Sequence, residues 1–145
     1  MKILIINGPN LNLLGEREPE VYGAESLEQI NQWLRQHPSC SSHELQFFQS
    51  NHEGALIDEL HNQRHWADGV VLNAGGLTHT SVSLRDAVVG CQMPTIEVHL
   101  SDIHARETFR DFSYLKDVCL AQISGRGKQG YLDAIVYLDQ HVCNE

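Results

Sequence analysis

Residues 2–23 read Lys2-Ile3-Leu4-Ile5-Ile6-Asn7-Gly8-Pro9-Asn10-Leu11-Asn12-Leu13-Leu14-Gly15-Glu16-Arg17-Glu18-Pro19-Glu20-Val21-Tyr22-Gly23. An unbroken apolar run, Ile3 to Ile6, stops abruptly in a long polar loop. Such a run suits a strand buried on both faces, as the strands of parallel sheets are. The loop then lies at the carboxyl edge of the sheet, where open α/β folds bind their ligands. It is longer than most strand-to-helix connections, and loops of that size are usually functional or disordered. Its Asn10, Asn12, Arg17 and Tyr22, punctuated by glycines and prolines, point to function.

Working outward, apolar runs and helical patterns alternate. Strands are expected at residues 2–6, 44–49, 69–73, 95–99 and 118–124. Amphipathic helices are expected at 26–36, 54–65 and 81–89, with a weaker one near 105–111 and a closing one at about 131–141. Ser26 followed by Gln29 reads as a capping box, and Gly90 suits a helix C-terminus. Alternating strands and helices imply right-handed crossovers and a parallel sheet covered on both faces. The expectation is an α/β chain, a single catalytic domain over residues 1–145 with three α/β/α layers. Five such units fit a flavodoxin-like strand order, 2-1-3-4-5, by analogy, since spacing alone does not set the order.

At 145 residues the chain is long enough for a real hydrophobic core. A net charge of −9 argues against nonspecific nucleic-acid or membrane binding, both of which need basic surface. Cys40, Cys91, Cys119 and Cys143 lie far apart without C-x-x-C spacing, so a disulfide framework is not expected. The N-terminal apolar run is too short for a signal-peptide core, and no stretch approaches the ~18 apolar residues of a membrane span. The cytoplasm is the default.

Every strand end is polar. After strand 1 comes Asn7 and the long loop; after strand 2, Ser50-Asn51-His52-Glu53-Gly54. Strand 3 runs into Asn73 and Gly75-Gly76-Leu77-Thr78-His79-Thr80-Ser81, and strand 4 ends in Glu97-Val98-His99-Leu100-Ser101-Asp102. In a parallel sheet these ends share one edge, so Tyr22, Asn73, His79 and His99 can converge on a crevice suited to a polyhydroxylated ligand. Glu97 and His99, two apart on a strand, point to the same face. A carboxylate beside an imidazole orients it and favours its protonated form, which makes His99 a candidate proton donor. For an isolated E-x-H a satisfied polar pair is the plainer reading, and the convergence of the other strand ends reverses the preference. Thr78 to Ser81 precede a helix, whose N-terminus accepts a carboxylate or phosphate; simple capping by Thr80 or Ser81 leaves His79 and the glycine pair unexplained. Arg106 and Arg110 share a face if their segment is helical, with a carboxylate ligand and a solvated face about equally favoured.

Other signals carry less. Gly125-Arg126-Gly127-Lys128-Gln129-Gly130 matches G-x-G-x-x-G, but it follows the last strand and lacks a downstream acidic ribose ligand. A tight turn into the terminal helix is expected there. His61 and His65 are four apart but lack a third metal ligand. No G-x-S-x-G elbow occurs, and none of the three lysines suits a Schiff base.

Taken together, these residues match a known pattern along essentially the whole chain. The blocks are Gly8-Pro9-Asn10-Leu11-Asn12-Leu13-Leu14-Gly15-x-Arg17-Glu18-Pro19-x-x-Tyr22-Gly23, Gln49-Ser50-Asn51-x-Glu53-Gly54, Asn73-x-Gly75 with Thr78-His79-Thr80-Ser81, Arg85-Asp86-Ala87, and Glu97-Val98-His99-x-Ser101 with Ile103-His104-Ala105-Arg106-Glu107 and Phe109-Arg110. The chain resembles the type II 3-dehydroquinate dehydratases, lyases of the cofactor-free, flavodoxin-like class. The resemblance implies dehydration of 3-dehydroquinate to 3-dehydroshikimate by anti elimination through an enolate, in the shikimate pathway of aromatic amino-acid biosynthesis or in quinate breakdown. It implies no metal and no cofactor. Tyr22 is similar to the family's base. A free tyrosine has a pKa of about 10, so a cation must favour its phenolate, and Arg17 is the matching residue. Asn12 resembles the residue that holds a water against the enolate oxygen, and His99 the acid that protonates the leaving hydroxyl. Substrate binding carries over to Asn73, His79, Leu100, Ser101 and Arg110, with the substrate carboxylate near the Leu100-Ser101 amides. Asp86 resembles a residue at a site bordered by a neighbouring subunit, and the family assembles as trimers stacked into dodecamers. The Arg17–Tyr22 loop would act as a lid. Ala74, Leu77 and Asp102 depart from the usual proline, tyrosine and asparagine, and Asp102 adds a negative charge beside the carboxylate-binding amides.

A flavodoxin-like module binding a nucleotide or flavin is the rival reading. Its phosphate cradle would be the strand 1 loop, which has one arginine and no lysine, and Tyr22 and His99 would be idle.

Overall fold

In the computed structural model, which describes residues 1–142, five strands form one parallel sheet: β1 (Lys2–Asn7), β2 (Glu44–Gln49), β3 (Gly69–Asn73), β4 (Thr95–His99) and β5 (Ala121–Ser124). Their order is β2-β1-β3-β4-β5, as expected. Cys143 lies outside the described residues.

Alternation along the central strands builds two cores. Ile3 and Ile5 with Val71, Ile96 and Val98 face α2 (Leu27–Gln36) and α5 (Gln129–Val142). Leu4 and Ile6 with Val70 and Leu72 face α3 (Glu53–Gln63) and α4 (Val82–Cys91). Strands buried on both faces need apolar residues at successive positions, which is why β1 and β3 read as unbroken runs. The Ser26 capping box is present.

Several expectations change. The last strand begins at Ala121 rather than 118, because Lys116–Val118 form a 3-10 turn. No α-helix forms over 105–111. Two 3-10 turns stand there, Ile103–Ala105 and Thr108–Arg110, and the extended backbone of Arg106 (φ −108°, ψ −153°) separates them. Gly90 lies inside α4, and Gln92 takes the left-handed capping position at φ 56°. The strand 1 loop holds a 3-10 turn (Leu11–Leu13) and a short helix, α1 (Pro19–Tyr22), with Leu11 and Leu14 buried as anchors. The glycine-rich segment is the turn into α5, as expected.

The loops after β1 and β3 touch directly. The Gly8 N–H donates to the Asn73 carbonyl at 2.7 Å, and a Cβ on Gly8 would sit 2.5 Å from the Ala74 carbonyl oxygen. Gly8→Ala must therefore separate two backbones. It should lower stability in urea unfolding by about 1–3 kcal/mol, the usual range for overpacking. Gly90→Ala, whose Cβ meets nothing within 4 Å, should be neutral or stabilising by up to ~1 kcal/mol.

Candidate active site

The parallel register sets Asn7 beside Asn73 and carries β4 out to His99 at the same edge. A cavity opens there. Eight of the ten expected site residues line it: Arg17, Tyr22, Asn73, His79, His99, Leu100, Ser101 and Arg110. Asn12 and Asp86 do not. Asn12 is exposed on its 3-10 turn, with Oδ1 3.5 Å from Gln49 Nε2. Asn10, held left-handed at φ 71°, lines the wall instead. Its N–H donates to Asn51 Oδ1 at 2.9 Å, tying the loop to the end of β2. Asp86 is exposed on α4.

Two guanidiniums converge on the Tyr22 hydroxyl oxygen. Arg106 Nη1 donates at 2.7 Å and Arg17 Nη2 at 3.1 Å. Guanidinium offers only donors, so the oxygen must accept both bonds, each of them charge-assisted. Arg106, which the sequence offers only as half of an Arg106–Arg110 pair for a carboxylate, instead meets the Tyr22 hydroxyl. Nothing local in the sequence links it to a tyrosine 84 positions away. Its presence in the matching block around His104 was the available signal.

At the other titratable centre, His99 Nε2 lies 2.6 Å from Glu97 Oε2. Glu97 is fully buried, and its carboxylate also accepts from Gln122 Nε2 at 2.7 Å and Ser113 Oγ at 2.8 Å. Burial alone would push this carboxyl up. The hydrogen bond and charge of His99, with the bonds from Gln122 and Ser113, outweigh burial and hold it below the ordinary range. A carboxylate only accepts, so Nε2 carries a hydrogen and Nδ1 is the ring atom left to exchange a proton with a ligand.

The His79 ring stacks near His99, with centroids 6.4 Å apart. Its Nδ1 donates to the Phe112 carbonyl at 2.7 Å. Burial pushes the His79 pKa down, against that bond, so the neutral ring offers Nε2 as an acceptor. The carbonyls of Leu100 and Ser101 accept from Gly127 N and Gly125 N at 3.0 and 3.1 Å. This turns the Ser101 N–H away from the glycine turn. Arg110 Nε bonds Glu107 Oε2 at 2.8 Å. Asp102 Oδ1 accepts from His104 N at 3.0 Å, so its charge caps the following 3-10 turn. Among the described residues no three His, Cys, Asp or Glu side chains are grouped to hold a metal ion, and His61 and His65 stand outside the cavity.

Residues 1–139 match the family model described as dehydroquinase class II. The chain belongs to this family. It is 53% identical over 93% of its length to a 3-dehydroquinate dehydratase of Dinoroseobacter shibae, covering 90% of that protein. It is 52% identical to a catabolic 3-dehydroquinase of Phaeosphaeria nodorum, over 97% of this chain and 92% of the other. The crystal structure of a type II dehydroquinase from Butyrivibrio crossotus superposes with a TM-score of 0.93 at 43% identity, covering 96% of this chain and 97% of that one. Class II dehydroquinase membership displaces the reading as a nucleotide- or flavin-binding module.

The depressed Glu97 value has a defined consequence for stability. Its contribution is complete above the unfolded-state value of about 4.5 and is lost as the pH falls through the lower folded-state value. Urea unfolding of wild type and Glu97→Gln from pH 7 to pH 3 should show the difference between them shrinking across that window. A constant difference would contradict the charged pairing.

Proposed function

We propose that Tyr22 and His99 act as base and acid in the dehydration of 3-dehydroquinate, the hydro-lyase reaction of this family, within a single catalytic domain. The observation that carries this reading is the Tyr22 oxygen bracketed by Arg17 and Arg106 in the cavity that also holds Glu97-backed His99. A proton α to a ketone is weakly acidic, so its removal needs a strong base and a stabilised enolate. The Tyr22 phenolate takes that proton, and the electron pair passes into the ketone oxygen. Return of the pair expels the β-hydroxyl, which leaves as water with the proton delivered by His99 Nδ1. Elimination is anti, as in the family.

Asn73, His79 and Arg110 would hold the substrate, with its carboxylate at the Leu100-Ser101 amides. The water facing the enolate oxygen falls to Asn10, on the cavity wall, in place of Asn12. The Arg17–Tyr22 segment works as a lid that excludes water.

Trimers stacked into a cytoplasmic homododecamer complete the proposal. Phe109 and Phe112, 65% and 61% exposed beside the site, and exposed Asp86 on α4 supply surface for a neighbouring subunit. Among the described residues no helix is long and apolar enough to cross a membrane.

The test is a variant panel incubated with 3-dehydroquinate, following the enone absorbance of the product. Tyr22→Phe and His99→Ala should each lose about 10²–10⁴-fold in kcat with the fold intact. Asn10→Ala should lose more than Asn12→Ala. Near wild-type turnover in Tyr22→Phe or His99→Ala would refute the role assigned to that residue.

A further inference from the structure

Tyr131 is fully buried at the start of α5, yet it reaches the edge where ligands bind. Its hydroxyl donates to Asn7 Oδ1 at 2.5 Å and accepts from Asn73 Nδ2 at 2.9 Å. Asn7 and Asn73 are themselves buried, being register partners at the ends of β1 and β3. Asn73 lines the cavity and Tyr131 does not.

The direction of this chain is settled by a backbone group. The Gly75 N–H donates to Asn73 Oδ1 at 3.2 Å, so the amide oxygen must face Gly75 and the amide nitrogen must face Tyr131. One hydrogen of Nδ2 is then committed to the phenol, whose own proton goes to Asn7. The second hydrogen of Nδ2 is the donor left for a ligand. Burial pushes the Tyr131 pKa upward, so the phenol keeps its proton and the chain keeps its direction. Without the phenol oxygen only the longer Gly75 bond would orient the amide.

We infer that Tyr131 is a positioning residue for the dehydration: it locks the Asn73 side-chain amide so that a single N–H is presented to a substrate oxygen. This rests on the proposed contact between Asn73 and substrate. The glycine-rich turn delivers Tyr131 to its post. Gly125 and Gly127 take φ of +79° and +55°, and Gly130 lies against β4 and β5, where a Cβ would stand 3.4 Å from Val98 and 3.5 Å from Ile123. The segment that imitates a dinucleotide fingerprint is therefore a device for seating a tyrosine between two strands.

The experiment is a double-mutant cycle on KM and kcat with Tyr131→Phe, Asn73→Ala and the pair. Tyr131→Phe should raise KM by on the order of tenfold, the scale of one hydrogen bond lost from binding, with a smaller change in kcat. The double variant should be no worse than Asn73→Ala alone, because residues acting through one another are not additive. A purely structural role would lower the amount of folded enzyme and leave KM unchanged. Multiplying losses, or an unchanged KM in Tyr131→Phe, would overturn the inference. An unchanged KM in Asn73→Ala would instead sink the substrate contact on which it rests. Should Tyr131→Phe fail to fold, Asn7→Ala, which keeps the aromatic ring in the core, is expected to show the same KM shift in smaller degree, and an unchanged KM there would count against the inference.

Discussion

The parallel register of β1, β3 and β4 is the constraint on which the rest depends. A sheet of this kind brings every strand to an end on one edge, and here each end carries a side chain that can donate or accept a proton or a hydrogen bond. Asn7 meets Asn73 as its register partner, and His99 closes β4 beside them. The backbone bond from Gly8 to Asn73 joins the first two loops. A slip of one residue in β4 would turn Glu97 and His99 to the opposite face, since the side-chain period of a strand is two.

That edge imposes an electrostatic difficulty. Glu97 sits on β4, flanked by β3 and β5, with no exposure to solvent, and an unpaired charge there would be strongly destabilising. Three donors from three different segments meet it: His99 on its own strand, Gln122 on β5 and Ser113 in the preceding connection. The irregular stretch between β4 and β5 is thereby explained in part. Consecutive residues Phe112 and Ser113 fix His79 and Glu97, which ties the two histidines to one short run of chain. Tyr22 is handled differently. It stands on a loop, partly buried, and draws its two cations from that loop and from Arg106 on the far side of the sheet order.

Much of this was legible in the sequence because it is local. Buried parallel strands announce themselves as apolar runs, Ser26 and Gln29 announce a cap, and polar residues directly after each run mark the edge. What escaped was decided at a distance or by backbone detail. Arg106 reaches Tyr22 through a chain reversal that no periodicity encodes, and the helix expected around it is prevented by its own extended backbone. Asn10 and Asn12 cannot be told apart by composition, and the left-handed turn at Asn10 puts that residue on the cavity wall. Tyr131 reads as an ordinary core position of an amphipathic helix, and its hydroxyl acquires meaning only once Asn7 and Asn73 are seen on either side of it.

The division of labour between Tyr22 and His99 is tested most directly by hydrogen exchange at the α-carbon of 3-dehydroquinate, followed by NMR in D2O. Removing the acid while keeping the base should allow the enolate to form and return, so His99→Ala should exchange that proton with solvent faster than it forms product. Tyr22→Phe, lacking the base, should do neither. Exchange that persists in Tyr22→Phe, or that disappears in folded His99→Ala while Tyr22 is intact, would contradict the account.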